Sequence, residues 1–80
     1  MRLDKYLKVS RIIKRRTVAN EACDAGHVTV NGKIARASYE VSPGDIVEVA
    51  FGEKLLKFEV ISDKEIVGKA EASLLYRVID

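Results

Sequence analysis

Eight side chains near the start of the chain carry its most distinctive chemistry: Arg2, Lys5, Lys8, Arg11, Lys14, Arg15, Arg16 and Thr17. Seven of them are cations, and the only acid in residues 1–16 is Asp4. A group like this makes and breaks no bonds. It presents positive charge of a single sign, which seeks polyanions, whereas a merely soluble surface mixes the signs. Arginine dominates the junction Lys14-Arg15-Arg16. Its planar fork pairs with phosphate oxygens better than an ammonium does. Asp4 has two readings: a cap on the first helix, or an orienting carboxylate that holds an arginine such as Arg16.

The formal net charge of +2 hides this asymmetry. Residues 1–36 hold nine Lys/Arg against three Asp/Glu, a balance of +6, while residues 37–80 hold five against nine, a balance of −4. Charge segregation of this kind points to a polyanionic partner for the first half.

The other reactive residue types do not assemble into a catalytic set. His27 and Cys23 stand four residues apart across a helix end, with no third group to orient a base. Cys23 reads as a small buried apolar residue. Glu48, Glu53 and Glu59 fall on hairpin strands and read as solvent-facing. Gly52 and Gly68 stand alone, so no phosphate-cradling loop is present. One cysteine excludes a Cys-rich metal site, and with one histidine as well a structural zinc site is hard to build. No enzyme activity, metal or cofactor is expected. The lone cysteine fits a reducing compartment. Arg2, Asp4, Lys5 and Lys8 occupy positions where a secretory leader would need an apolar run, and no apolar stretch approaches the ~20 residues that span a bilayer. A cytoplasmic location without membrane contact is expected.

The elements that must position these cations follow from periodicity. Leu3, Tyr6 and Leu7 form the apolar stripe of a short helix, with Lys5 and Lys8 on its other side. Ile12 and Ile13 anchor a linking turn. Thr17 is the candidate N-cap of a second helix over about Thr17 to Ala25. Val18, Ala19, Ala22 and Cys23 define its apolar face, Asn20, Glu21 and Asp24 are read as facing water, and Gly26 ends it. Arg15 and Arg16 would then stand at a helix N-terminus, where amides and dipole also favour anions.

His27 to Val30 alternates as a strand, and Asn31-Gly32 is a strong hairpin signal leading into Lys33 to Ala35. Pro43-Gly44-Asp45 is a turn. Ile46 to Phe51 and Leu55 to Ile61 are strands joined by Gly52-Glu53. Lys69 to Asp80 leans to a short helix, against the alternative that Tyr76 to Ile79 finishes as a strand. The fold class is α+β: two N-terminal helices packed on a small antiparallel sheet, in one domain spanning residues 1–80. The aromatics Tyr6, Tyr39, Phe51, Phe58 and Tyr76 are too dispersed for a base-stacking platform. Recognition of folded RNA through backbone and shape fits better, although composition by itself leaves DNA open; either would bring a steep salt dependence and no sequence information in the phosphate contacts.

The runs Arg2-Leu3-Asp4-Lys5-Tyr6-Leu7, Arg16-Thr17 and Gly26-His27-Val28-Thr29-Val30-Asn31-Gly32-Lys33 resemble the S-four-type (S4, alpha-L) RNA-binding domain. Pro43-Gly44-Asp45 followed by Ile46-Val47-Glu48-Val49 matches the same pattern, so the likeness covers about residues 1–50. Residues 51–80 are the C-terminal hairpin and short helix. In several members the domain is an accessory to a catalytic domain, and none is expected here. The segment Ala70-Glu71-Ala72-Ser73-Leu74-Leu75-Tyr76 extends the likeness to the short ribosome-associated members. A domain starting at residue 1 and ending at Asp80, without a long basic extension, is expected to side with the quality-control members rather than the heat-shock type.

The resemblance implies a specific role. Such proteins bind the large ribosomal subunit obstructed by peptidyl-tRNA, contact rRNA and the P-site tRNA, and support RqcH-dependent alanine tailing of stalled chains. It places RNA contacts on the helical surface of Arg2, Lys5, Arg11, Arg15, Arg16 and Thr17, with Asp4 orienting. A monomer is expected. The alternatives are a heat-shock-type large-subunit rescue protein, a general structured-RNA binder, and a protein adaptor that uses the acidic half and a hairpin edge over Leu55 to Ile61.

Overall fold

The computed structural model describes residues 1–65 and 68–79. Its elements run α1 (Leu3–Val9), α2 (Arg16–Asp24), β1 (Val28–Val30), β2 (Lys33–Ile34), β3 (Ile46–Phe51), β4 (Lys54–Val60), α3 (Lys69–Ala72) and β5 (Tyr76–Val78). The strands form one sheet in the order β2-β1-β3-β4-β5, every neighbouring pair antiparallel. The architecture is the α+β arrangement expected from the sequence.

Two tight turns fix the register. Asn31 (φ 53°) and Gly32 (φ 85°) both adopt left-handed backbone. That is the requirement of a type I′ hairpin, whose twist matches the flanking strands, and Val30 therefore pairs with Lys33. The second turn, between β3 and β4, opens on Gly52 at φ 57°, and Phe51 pairs with Lys54. With the register set, the inward residues of each strand coincide: Val28 opposes Val49, Val30 opposes Val47, and Val47 opposes Phe58. All five are buried.

The helices close this apolar face. Leu3, Tyr6 and Leu7 of α1 are fully buried and join the strand residues in one cluster, to which α2 adds Ala19 and Cys23. Tyr6 stacks on Phe58 at 6.2 Å between ring centroids, and Phe58 meets Tyr76 edge-on at 5.5 Å. Aromatic pairs in these arrangements contribute about 0.5–1.5 kcal/mol beyond the area they bury. The opposite face of the sheet is mixed: it carries two cross-strand ion pairs, Lys57–Glu48 at 3.7 Å and Arg77–Glu59 at 2.7 Å, beside the exposed Ile34 and Leu55.

Four sequence expectations change. Thr17 is not the N-cap of α2: the helix begins one residue earlier, its N-cap is Arg15, and no side chain caps it. Asn20 does not simply face water; it is half-buried against α1. The C-terminal segment gives only one helical turn, Lys69–Ala72, and then β5, because Tyr76 and Arg77 find strand partners in Val60 and Glu59. Asp80 lies outside the described residues. Finally, β4 is no edge: β5 pairs with it over Phe58 to Val60, so the hairpin edge invoked for a protein adaptor is covered there.

Candidate nucleic-acid interface

The interface is organised by one carboxylate. Asp4 sits in the first turn of α1, and the residue is only 2% exposed. A buried carboxylate is costly unless its lone pairs are filled, and here they are. Oδ1 accepts from the Lys5 amide at 2.8 Å and from Arg2 Nε at 3.2 Å. Oδ2 accepts from Asn20 Nδ2 at 3.1 Å and lies 3.4 Å from Arg16 Nε. Asp4 is not the helix cap; that position belongs to Arg2, which makes no side-chain cap bond. Asp4 instead ties α1 to the first turn of α2 and holds two guanidinium groups side by side, each about half-exposed at 46%.

Burial pushes the Asp4 carboxyl up, but hydrogen bonds from Asn20, Arg16 and the Lys5 amide, with the charge of Arg16, outweigh it and leave the group below its ordinary range. A folded-state value below the unfolded one stabilises the fold at neutral pH. That contribution is complete above the unfolded value of about 3.9 and is lost as pH falls through the folded value. Urea unfolding between about pH 5 and pH 2 should therefore show stability falling with acid, and Asp4→Asn should flatten that slope. An unchanged slope in the variant would show that Asp4 does not couple the two helices.

The two helix N-termini differ. In α1 the Leu3 amide donates to the Tyr39 carbonyl, the Asp4 amide to Ala37 and the Lys5 amide to Asp4 itself. In α2 the first amide with an acceptor among the described residues is that of Ala19, which donates to Arg15. No acid stands in its first turn. The amides of Arg16, Thr17 and Val18 thus point their partial positive charge outward beside Arg15 and Arg16, a setting that favours anions.

The remaining expected cations divide. Lys8, Arg11, Lys14 and Arg15 are exposed and make no ion pair among the described residues. Arg11 has left-handed backbone at φ 63°, uncommon outside glycine. It turns the chain out of α1 just after the C-cap Ser10. Lys5 is committed differently, to Glu65 at 2.7 Å. Asp4, Arg16, Thr17, Asn20 and Glu21 together line an open cleft of about 360 Å³. Asn20 and Glu21 were not candidate site residues from the sequence. The signal that finds Asn20 is its i+4 spacing from Arg16, which sets both side chains on one face of α2.

The groups outside this surface fit a structural role. Cys23 is buried, and burial, with the charges of Asp4 and Asp24, pushes its thiol up to about 11. His27 is exposed at the start of β1. Among the described residues no His, Cys, Asp and Glu group could hold a metal ion, and no helix is long and apolar enough to cross a membrane.

The sequence profile of the S4 domain matches residues 1–47. The chain belongs to the S4 domain family. The matched stretch of the S4 domain contains α1, α2, the β1–β2 hairpin and every residue that lines the cleft. Over 78 residues the chain is 55% identical to the RQC P-site tRNA stabilizing factor of Halalkalibacterium halodurans, covering 98% of this chain and 89% of that one. It is 49% identical over 79 residues to the factor of the same name from Bacillus subtilis, covering 99% and 92%. Among solved structures, the trimeric heat shock protein 15 of Vibrio cholerae superposes with a TM-score of 0.90 at 30% identity, covering 99% of this chain and 81% of that one. The fold is thus shared with that structure over nearly the whole of this chain, beyond the residues that the S4 profile matches.

Proposed function

We propose that the protein binds the large ribosomal subunit obstructed by peptidyl-tRNA, contacts rRNA and the P-site tRNA, and supports RqcH-dependent alanine tailing of stalled chains. The carrying observation is the group of cations around the α2 N-terminus, where Arg2 and Arg16 are held by Asp4 and outward amides lack acceptors among the described residues. Arg2, Lys8, Arg11, Lys14, Arg15, Arg16 and Thr17 contact phosphate; Lys5 joins them by exchanging Glu65 for a phosphate oxygen. Asp4 orients its arginines and touches no RNA. The choice of target rests on the similarity to factors named for stabilizing P-site tRNA. The role is one of binding, with no bond-making step, by a monomer in the cytoplasm.

Co-sedimentation tests it. The tagged protein should pellet with large subunits carrying peptidyl-tRNA more than with empty ones. Binding should weaken steeply with added salt, because each neutralised phosphate releases counterions. Equal binding to both kinds of subunit favours the second reading, a heat-shock-type rescue protein, which the close superposition on heat shock protein 15 supports.

A further inference from the structure

The cleft beside Arg16 contains more than positive charge. Its other lining groups are Thr17, Asn20 and Glu21, with Asp4 at the base. An ionised carboxylate only accepts hydrogen bonds, so the Asn20 group that meets Asp4 Oδ2 at 3.1 Å must be the amide NH2. That fixes the orientation of the side chain and leaves its Oδ1 without a partner among the described residues. Glu21 is exposed on the same helix face, and its carboxylate enters no ion pair or hydrogen bond among the described residues. Asp4, by contrast, is fully engaged. Next to a guanidinium, the cleft therefore offers two open acceptors, one neutral and one charged.

A surface built only to meet phosphate gains nothing from an unpaired carboxylate, which repels the ligand. The complement of such a cleft is a neutral donor lying beside a phosphate. RNA carries neutral donors on its base edges and its ribose; the one that adjoins a phosphate whatever the base is the 2′-hydroxyl, the group by which a protein distinguishes RNA from DNA. The cleft volume of about 360 Å³ lies at the low end of small-ligand sites, room for one nucleotide unit rather than a stacked pair.

We propose that this cleft is a ribose subsite in which the Glu21 carboxylate accepts the single hydrogen bond that an RNA 2′-hydroxyl can donate, with Asn20 Oδ1 beside it, while Arg16 meets the adjoining phosphate. Glu21 thereby becomes a specificity-determining residue for RNA over DNA. The inference rests on the RNA-binding reading above.

The test compares an RNA hairpin with the same hairpin carrying 2′-fluoro sugars, which keep A-form shape but donate no hydrogen bond. Binding is read by fluorescence anisotropy for the wild type, Glu21→Ala and Glu21→Gln. The wild type should prefer the hydroxylated hairpin by about tenfold, the scale of one hydrogen bond to a charged acceptor. Glu21→Ala should lose that preference by weakening only the hydroxylated hairpin. Glu21→Gln, which keeps an acceptor, should retain most of it. Position 21 is exposed in a helix, where alanine and glutamine are both well tolerated. If Glu21→Ala tightens both hairpins alike, the carboxylate is only a repulsive charge and the subsite is refuted, while RNA binding stands. If the wild type binds neither hairpin, the RNA-binding reading falls and takes the subsite with it.

Discussion

Arg16→Glu is expected to lower affinity for large subunits carrying peptidyl-tRNA by about a hundredfold, with the fold retained. A charge-assisted contact with phosphate contributes about 1.5–3 kcal/mol, and each 1.4 kcal/mol is about tenfold in affinity. The reversal also places a second carboxylate beside Asp4, in a position from which Arg16 now donates at 3.4 Å. Asp4 keeps Arg2, Asn20 and the Lys5 amide as donors, so the helix pair should survive. Arg16→Lys separates charge from geometry. Lysine keeps the charge but cannot span Asp4 and a phosphate with one planar fork, so an intermediate loss of about tenfold is expected. Co-sedimentation reads the binding and thermal unfolding checks the fold. Normal pelleting of Arg16→Glu with obstructed subunits would remove Arg16 from the interface.

The second large effect concerns the joint between α1 and the C-terminal segment that leads into β5. Tyr6 is fully buried, stacks on Phe58, and donates its hydroxyl to the Leu75 carbonyl at 2.6 Å. Burial, with the charges of Tyr76 and Asp63, pushes the phenol up, so it stays a donor. Truncating a buried aromatic to alanine costs about 3–5 kcal/mol, whereas a chain of 80 residues has a total stability of only about 4–12 kcal/mol. Tyr6→Ala should therefore lose from about a quarter to all of that stability. Tyr6→Phe keeps the ring and removes one of the three donors to the Leu75 carbonyl, which still accepts from the Ile61 and Ser62 amides, for a loss of about 0.5–1.5 kcal/mol. Urea titrations of both variants give these values directly. Wild-type stability in Tyr6→Phe would mean that the hydroxyl does not help fasten the C-terminal segment.

Local rules explain why so much of the fold is legible in the sequence. Asn31-Gly32 can take left-handed backbone at two successive residues, and that alone sets the β1–β2 register. The alternation from Ile46 to Phe51 needs no distant partner to be recognised, and the strand has those bounds. The same holds for Gly26 at φ 82°, which ends the second helix. The C-terminal segment is ambiguous for the opposite reason. Ala70, Ala72, Leu74 and Leu75 have helical preference, but β4 offers Glu59 and Val60 an open ladder, and pairing across it converts the last residues to a strand. Propensity is a weak prior that such tertiary pairing overrides.

The sequence by itself determined the charge split, the S4 resemblance and the concentration of arginines at the start of α2, because composition and short-range pattern need no coordinates. Only the tertiary structure decided what the single acid among them does. Whether Asp4 caps a helix or holds arginines depends on how α1 and α2 cross, and that crossing is set by Leu3, Leu7, Ala19 and Cys23 packing into one core. Their packing brings Asn20 and Arg16 to the carboxylate, commits the Asn20 amide NH2, and leaves Glu21 open at the cleft. No spacing along the chain specifies such a contact between two helices, since it arises only when their apolar faces meet.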